Sequence, residues 1–213
     1  MESALQQRKG GIGSEEVANM VPAPPLMHPS SVPVAVVVMG PSGTGKSTIG
    51  SRLAQEMGWH FAEGDDYHSA DNVQKMATGV PLTDEDRLPW LSRLRTEVIE
   101  GVTAKTGCGV VLACSALRRV YRDLLRADNS GESARVIVFF VELVGDLRLV
   151  AQRIQGRRHA YMPASLLLSQ YATLEPLQLE KGEHGMRVSV ELGPAEIVRR
   201  VASELRQRLW LHL

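Results

Sequence analysis

Short apolar runs alternate with longer amphipathic stretches from Val34 onward. The apolar runs have the length of buried strands and lie at residues 34–39, about 59–62, 110–113, 136–143 and 187–191. Helices are expected in the intervals between them. Because this alternation is typical of βαβ units, it predicts an α/β fold with a mostly parallel five-stranded sheet covered by helices on both faces.

Two intervals carry apolar residues at helical spacing, so each predicted helix presents one apolar stripe. Pro89 is placed in the first turn of the earlier helix, where its missing N–H costs nothing. The stripes are Trp90, Leu91, Leu94, Val98 and Val102 in that helix, and Ile197, Val198, Val201, Leu205 and Leu209 in the last one.

Residues 1–32 differ from the rest, because glycine and proline recur there and no apolar period is sustained. We predict a flexible extension over 1–32 and one folded domain over 33–213. The extension lacks the apolar stretch of a secretory signal, whereas organelle targeting stays open. Cys108 and Cys114 are expected to be packed, inert thiols, which favours a reducing compartment and a cytoplasmic location.

Composition excludes several classes of partner. The 24 Lys and Arg residues balance the 24 Asp and Glu residues. Non-specific electrostatic binding to nucleic acid or to an anionic membrane is therefore not expected. The apolar runs are far shorter than the roughly 18 residues that span a bilayer. An anionic ligand must therefore be held by local geometry.

A glycine-rich motif follows the first predicted strand and precedes a helical stretch. Residues 40–47 read G-P-S-G-T-G-K-S, which fits the phosphate loop G-x-x-x-x-G-K-[ST]. Its backbone N–H groups and the next helix would hold the phosphates of ATP, with Lys46 on the β- and γ-phosphates and the Ser47 hydroxyl on Mg²⁺. The expected nucleotide-binding residues are Gly40, Pro41, Ser42, Gly43, Thr44, Gly45, Lys46, Ser47 and Thr48.

Motifs of other nucleotide-binding classes are missing from the chain. It contains no N-K-x-D string of GTPases and no H-R-D or D-F-G string of protein kinases. A motor or transport ATPase would carry an acid for magnesium at the end of a buried strand, and Glu142 could mimic it. We favour a solvated strand end for Glu142.

Asp65 and Asp66 directly follow the short second strand. They are expected at the carboxyl edge of the sheet, which also carries the phosphate loop. A carboxylate there can take the proton from an attacking hydroxyl or hold Mg²⁺ through water, and Asp65 is our candidate for both roles. For Asp66, capping of the next helix and catalysis both stay open.

Four further blocks, taken with the phosphate loop, closely resemble gluconokinases. They read G-D-D-Y-H at 64–68, P-L-T-D-E-D-R-L-P-W-L at 81–91, C-S-A-L-R-R at 114–119 and T-L-E-P at 173–176. The resemblance implies a three-layer P-loop kinase, similar in fold to shikimate and adenylate kinases, that moves the γ-phosphoryl group of ATP to the 6-hydroxyl of D-gluconate. It also implies a homodimer, which is common in the family.

The same resemblance suggests residues for the acceptor and for a small lid at about 153–165. Gluconate is a polyhydroxylated anion, so its site should offer cations and hydrogen-bonding groups. Within the lid, Arg153 and Arg157 are four residues apart and would clamp the transferring phosphate from one helix face. The expected substrate-binding residues are Asp65, His68, Lys75, Arg87 and Arg118.

The chain departs from the family pattern at Ala160, where gluconokinases usually have histidine. This departure keeps two rival interpretations open. One is a related small-molecule kinase that acts on shikimate, another sugar acid or a nucleotide. The other is an ATP-binding module that has lost catalysis.

Overall fold

The computed structural model describes residues 32–126, 136–156 and 164–211. Its strands are β1 (Val34–Met39), β2 (His60–Glu63), β3 (Val110–Ala113), β4 (Ile137–Val144) and β5 (Gly185–Ser189). Its α-helices are α1 (Lys46–Met57), α2 (Ala70–Ala77), α3 (Asp84–Arg93), α4 (Gly101–Thr106), α5 (Arg119–Arg126), α6 (Leu147–Gln155), α7 (Ala164–Thr173) and α8 (Pro194–Leu211). A 3₁₀ turn (Gly64–Tyr67) follows β2, and a π-helical segment (Leu94–Glu100) joins α3 to α4.

All five strands run parallel in the order β2-β3-β1-β4-β5, which confirms the predicted sheet. The central strand β1 ends with Val38 beside Ala113 of β3 and Met39 beside Glu142 of β4. Strand β2 ends beside the same Ala113. The segments that leave β1, β2 and β3 therefore start at one edge of the sheet.

Helices cover both faces of the sheet, so β1 is buried on both of them. Ala35, Val37 and Met39 join a core that α3, the π-helical segment and α5 complete. The alternate residues of β1 point to the opposite core, which α1 and α8 complete. This two-sided burial explains why the first apolar run is continuous rather than alternating.

Three strands differ from their predicted bounds because their partners decide where they pair. Strand β2 is shifted by one residue and extends through Glu63, which pairs with Ala113. Strand β4 is also shifted by one residue, to Ile137–Val144. Strand β5 spans Gly185–Ser189 rather than 187–191, since its register is set by β4. Strands β1 and β3 match the prediction.

The placement of Pro89 in a first helical turn is wrong. Helix α3 already begins at Asp84, because Thr83 and Asp86 form a capping box in which each side chain accepts from the other residue's backbone N–H. Pro89 therefore lies inside α3. The stripe itself is confirmed, since Trp90, Leu91 and the apolar residues of the next two turns are buried or partly buried.

The two cysteines are not alike in the folded chain. Cys114 is buried after β3, and burial raises the pKa of its thiol to about 12, which fits an inert thiol. Cys108 is half-buried. Within the described parts of the chain, no helix has both the length and the apolar character needed to cross a membrane.

Candidate active site

The phosphate loop connects β1 to α1 and has the backbone form that the motif requires. Gly40 and Gly43 have φ values of 136° and 83°, where a side chain would be strained. A Cβ on Gly43 would also stand 2.6 Å from the Ile154 side chain. Gly45 caps α1 and offers no side-chain acceptor, so no cap group competes with an anion for the N-terminal N–H groups of the helix.

Two polar side chains of the loop donate hydrogen bonds to its own backbone. The Pro41 carbonyl accepts hydrogen bonds from the Thr44 hydroxyl at 2.8 Å and from the Lys46 ammonium at 3.3 Å. Ser47 and Thr48 are exposed in the first turn of α1. The structure thus brings the expected nucleotide-binding residues of the loop into one cradle, which fits the phosphates of a nucleotide.

Glu63, which the sequence analysis did not single out, lies beside the predicted magnesium ligand. The Ser47 hydroxyl is close enough to this carboxylate to favour its charged form. Burial raises the pKa of Glu63 above its ordinary value, against the opposing effects of Ser47 and Lys46. Oxygen donors of this kind suit Mg²⁺, so Ser47 and Glu63 fit the ion. The prediction ended β2 one residue too early and so overlooked this acid.

Asp65 and Asp66 lie in the 3₁₀ turn after β2 and are both exposed. Neither caps the next helix, because the Ser69 side chain accepts from the Asn72 N–H at the start of α2. The capping alternative for Asp66 is therefore wrong. Asp65 faces the cavity described next, with its side chain 76% exposed.

A cavity of about 240 Å³ lies between the phosphate loop and the segments that follow β2 and β3. It brings together five of the residues expected from sequence, namely Ser42, Lys46, Asp65, His68 and Arg87. The remaining wall is formed by Met76, Val80, Pro81, Leu82, Trp90, Ser115, Leu117, Leu166, Ser169 and Gln170. A cation of the phosphate loop, a carboxylate and a second cation thus share one space.

His68 is packed into the cavity wall. Its ring stacks on Trp90 with centroids 4.2 Å apart, and the Trp90 indole N–H donates to the Gly64 carbonyl at 2.8 Å. Burial lowers the pKa of His68, with Asp65 opposing this effect and Arg87 adding to it. The buried Nδ1 has no hydrogen-bond partner among the described residues, and Nε2 lies 3.9 Å from Asp65 Oδ1. The Nε2 edge of the ring therefore faces the candidate base.

Arg87 reaches the cavity from α3. Its Nη1 donates to the Leu82 carbonyl at 2.6 Å, and its guanidinium lies 5.7 Å from the centroid of the Tyr121 ring. None of these contacts is an ion pair, although the Asp84 carboxylate interacts with the Arg87 charge at longer range. Arg87 is therefore suited to attract an anionic group of a ligand.

Lys75 and Arg118 do not line the cavity. Lys75 pairs with Asp86 at 2.6 Å in a separate cleft between α2 and α3. Arg118 pairs with Asp84 and lies 3.5 Å from Glu175 Oε1, in a neighbouring surface cleft. Lys75 thus joins α2 to α3, and Arg118 joins the segment before α5 to α3 and to the segment after α7. An acid from another element neutralises each of them.

The predicted lid lies only partly in the described chain. Arg153 is on α6, and its Nη2 donates to the Val190 carbonyl at 2.7 Å. Helix α6 ends at Gln155, so a shared helix face with Arg157 is not part of the described fold. Arg157 and Ala160 lie outside the described residues.

The expectation of a solvated strand end for Glu142 is wrong. Its side chain is 2% exposed and accepts from the Leu177 N–H at 2.8 Å and from Arg187 Nε at 2.9 Å. These partners join β4 to the segment after α7 and to β5. The carboxylate is thus used in holding the sheet edge, which also leaves the magnesium alternative without support.

Comparisons with known proteins agree with this geometry. The profile of the shikimate kinase family matches residues 42–175. A probable gluconokinase from Rattus norvegicus is 41% identical over 186 residues, which cover 82% of this chain and 98% of the rat protein. A gluconokinase from Gluconobacter oxydans (strain 621H) is 50% identical over 143 residues, or 67% of this chain and 76% of that protein.

A solved structure gives the same result for the fold. The crystal structure of a gluconokinase from Sinorhizobium meliloti 1021 superposes with a TM-score of 0.70 at 39% sequence identity. The match covers 85% of this chain and 98% of that one.

Proposed function

The chain belongs to the gluconokinases, within the wider shikimate kinase family, and from this premise we propose that it transfers the γ-phosphoryl group of ATP to the 6-hydroxyl of D-gluconate. The products are 6-phospho-D-gluconate and ADP. The observation that carries the proposal is the single cavity lined by Lys46, Asp65 and Arg87. These groups match a donor phosphate, a reacting hydroxyl and the carboxylate of a sugar acid.

The phosphate loop holds the donor. Backbone N–H groups between Gly43 and Thr48 bind the phosphates, and Lys46 neutralises charge on the β- and γ-phosphates. Ser47 and Glu63 would hold Mg²⁺, directly or through water. When bound, that ion neutralises charge that develops on the phosphate oxygens.

The opposite wall of the cavity holds the acceptor. Asp65 orients the 6-hydroxyl and accepts its proton as the oxygen attacks the γ-phosphorus and ADP leaves. Arg87 pairs with the gluconate carboxylate, and His68 adds shape and hydrogen-bonding capacity. Arg153 and Arg157 are proposed to close over the transfer, which excludes water. Positioning and electrostatics supply most of the acceleration.

A coupled ADP-release assay with ATP and Mg²⁺ tests this function. It compares D-gluconate with shikimate, other sugar acids and nucleoside monophosphates, and it includes Lys46→Ala as a matched inactive variant. Selective turnover of D-gluconate that drops by orders of magnitude in Lys46→Ala is expected. Selective turnover of another acceptor would favour the related-kinase alternative, and ATP binding without any turnover would favour the degenerate module.

Three wider features are proposed from the sequence, of which the lid and the homodimer rest on the resemblance. They are an extension over 1–32 followed by a kinase domain over 33–213 with its lid at about 153–165, a cytoplasmic location and a homodimer. Light scattering on the purified chain measures the oligomeric state directly.

A further inference from the structure

The phosphate loop is contacted from a distant helix by Gln170 of α7. The Ser42 backbone N–H donates to Gln170 Oε1 at 2.7 Å, across 128 positions of sequence. Both residues line the cavity that also holds Lys46 and Asp65. A side chain from α7 therefore stands where the phosphate loop meets the acceptor space.

Hydrogen bonds made by α7 and by the segment that follows it hold the helix in this position. The Tyr171 hydroxyl donates to the Gly145 carbonyl at 2.9 Å. Beyond the helix end, the Glu175 N–H donates to the Leu117 carbonyl at 2.8 Å, and Glu175 Oε2 accepts from the Arg119 N–H at 2.7 Å. These bonds anchor α7 to the segments after β4 and β3, so Gln170 is held against the phosphate loop by a rigid element.

The contact also fixes which way the Gln170 amide is oriented. A backbone N–H can only donate, so the atom that faces Ser42 must be the carbonyl oxygen of the side chain. The Nε2 group then keeps two N–H donors, and none of them has a partner among the described residues. Leu166 and Ser169 line the same cavity from one and the same face of α7.

We propose that Gln170 is a specificity-determining residue that joins the two substrates: its Oε1 holds the phosphate loop through Ser42, and its Nε2 donates a hydrogen bond to the sugar acid. This inference rests on the proposed function. A sugar acid carries only hydroxyl and carboxylate groups, all of which can accept a hydrogen bond from an amide N–H. An uncharged amide also avoids the repulsion that a carboxylate would exert on nearby phosphates.

Two variants separate the two halves of this role. Gln170→Ala removes both hydrogen bonds, whereas Gln170→Glu keeps an acceptor for Ser42, removes the donor and adds a negative charge. Gln207→Ala, at an exposed position of α8, is the matched control. The dissociation constants of D-gluconate and of ATP with Mg²⁺ are measured separately by calorimetry, and KM and kcat are measured for each substrate. Thermal unfolding confirms that each variant is folded.

In Gln170→Ala we expect D-gluconate to bind about tenfold more weakly, in line with the loss of one hydrogen bond to a polar or charged group. In Gln170→Glu the loss should be at least as large, because the added carboxylate also repels the anionic sugar acid. In Gln170→Ala the affinity for ATP should change less than threefold. Wild-type affinity for D-gluconate in Gln170→Glu, or a loss confined to ATP in Gln170→Ala, would overturn the inference and leave Gln170 as a brace of the loop. A wild-type protein that turns over no gluconate would overturn the proposed function and this inference together.

Discussion

Arg122 and Glu183 form an ion pair in which each side chain is only 1% exposed, with 2.6 Å between Arg122 Nε and Glu183 Oε1. Arg122 Nη1 also donates to the carbonyls of Ala116 and Leu117 at 3.2 and 3.3 Å. Ala116 has a φ of 43°, which is uncommon for a residue with a side chain. The buried pair therefore holds the segment after β3 in the shape that forms one wall of the cavity.

Removal of the charge on Glu183 should destabilise the fold strongly. In Glu183→Gln the guanidinium of Arg122 stays buried without its counter-ion, so the free energy of unfolding should fall by about 3 kcal/mol. Urea unfolding followed by circular dichroism measures this change. The exposed Glu180→Gln is the control and should stay within about 0.5 kcal/mol of wild type. A loss below about 1 kcal/mol for Glu183→Gln would contradict this account of the pair.

The same pair predicts a pH dependence of stability. Burial alone would raise the pKa of Glu183, but hydrogen bonds from Arg122 and from the Gln178 N–H outweigh it and hold the pKa below its ordinary value. The stabilisation is therefore fully present above pH about 4.5 and is lost as the pH falls through the lowered pKa. The stability difference between wild type and Glu183→Gln should shrink below pH 4.5, as unfolding curves at stepped pH would show. A constant difference down to pH 3 would argue against a lowered pKa.

Asp65 and Asp66 are adjacent acids with different expected effects. Asp65 lines the cavity and Asp66 does not. Asp65→Asn should lower kcat by at least about 100-fold with a smaller change in KM, because the acceptor hydroxyl loses its base. Asp66→Asn should remain within about threefold of wild type. A rise in KM without loss of kcat in Asp65→Asn would assign Asp65 to binding instead.

Variants of Arg87 and Lys75 test directly which of the two cations binds the acceptor substrate. Loss of a charged hydrogen-bonding partner should raise the KM for D-gluconate about 10- to 100-fold in Arg87→Ala. Lys75→Ala should leave that KM near wild type and cost less than about 1 kcal/mol of stability, since its pair with Asp86 is partly exposed. Steady-state kinetics with D-gluconate varied at saturating ATP decide between them. The reverse ranking would restore Lys75 as the acceptor-binding cation.

Glu63 should control the requirement for Mg²⁺. Its carboxylate lies near the Ser47 hydroxyl, the predicted magnesium ligand, so Glu63→Gln should raise the Mg²⁺ concentration needed for half-maximal activity about tenfold. Titration of Mg²⁺ at fixed free ATP measures the shift, with Glu180→Gln again as the control. An unchanged magnesium titration would remove Glu63 from the site of the ion.

Features that depend on residues close together in the sequence could be predicted from the sequence alone. The first strand followed by the phosphate loop is one such feature, because glycine spacing and a continuous apolar run are local signals. The number of strands and their parallel arrangement follow from the alternation of short and long segments. Placement of Asp65 in the site also needed only the knowledge that parallel strands end at one edge of the sheet.

Tertiary structure decided how distant side chains are paired. The resemblance to gluconokinases suggested both Arg87 and Lys75 as substrate-binding residues. Because Lys75 pairs with Asp86, only Arg87 of these two lines the cavity. Glu63 lies near Ser47 because β2 pairs with β3 through Glu63. Gln170 contacts Ser42 because α7 is anchored at Gly145. A sequence pattern encodes which face a residue occupies along its own element. The partner on another element depends on register and packing across more than a hundred residues, and these exist only once the chain has folded.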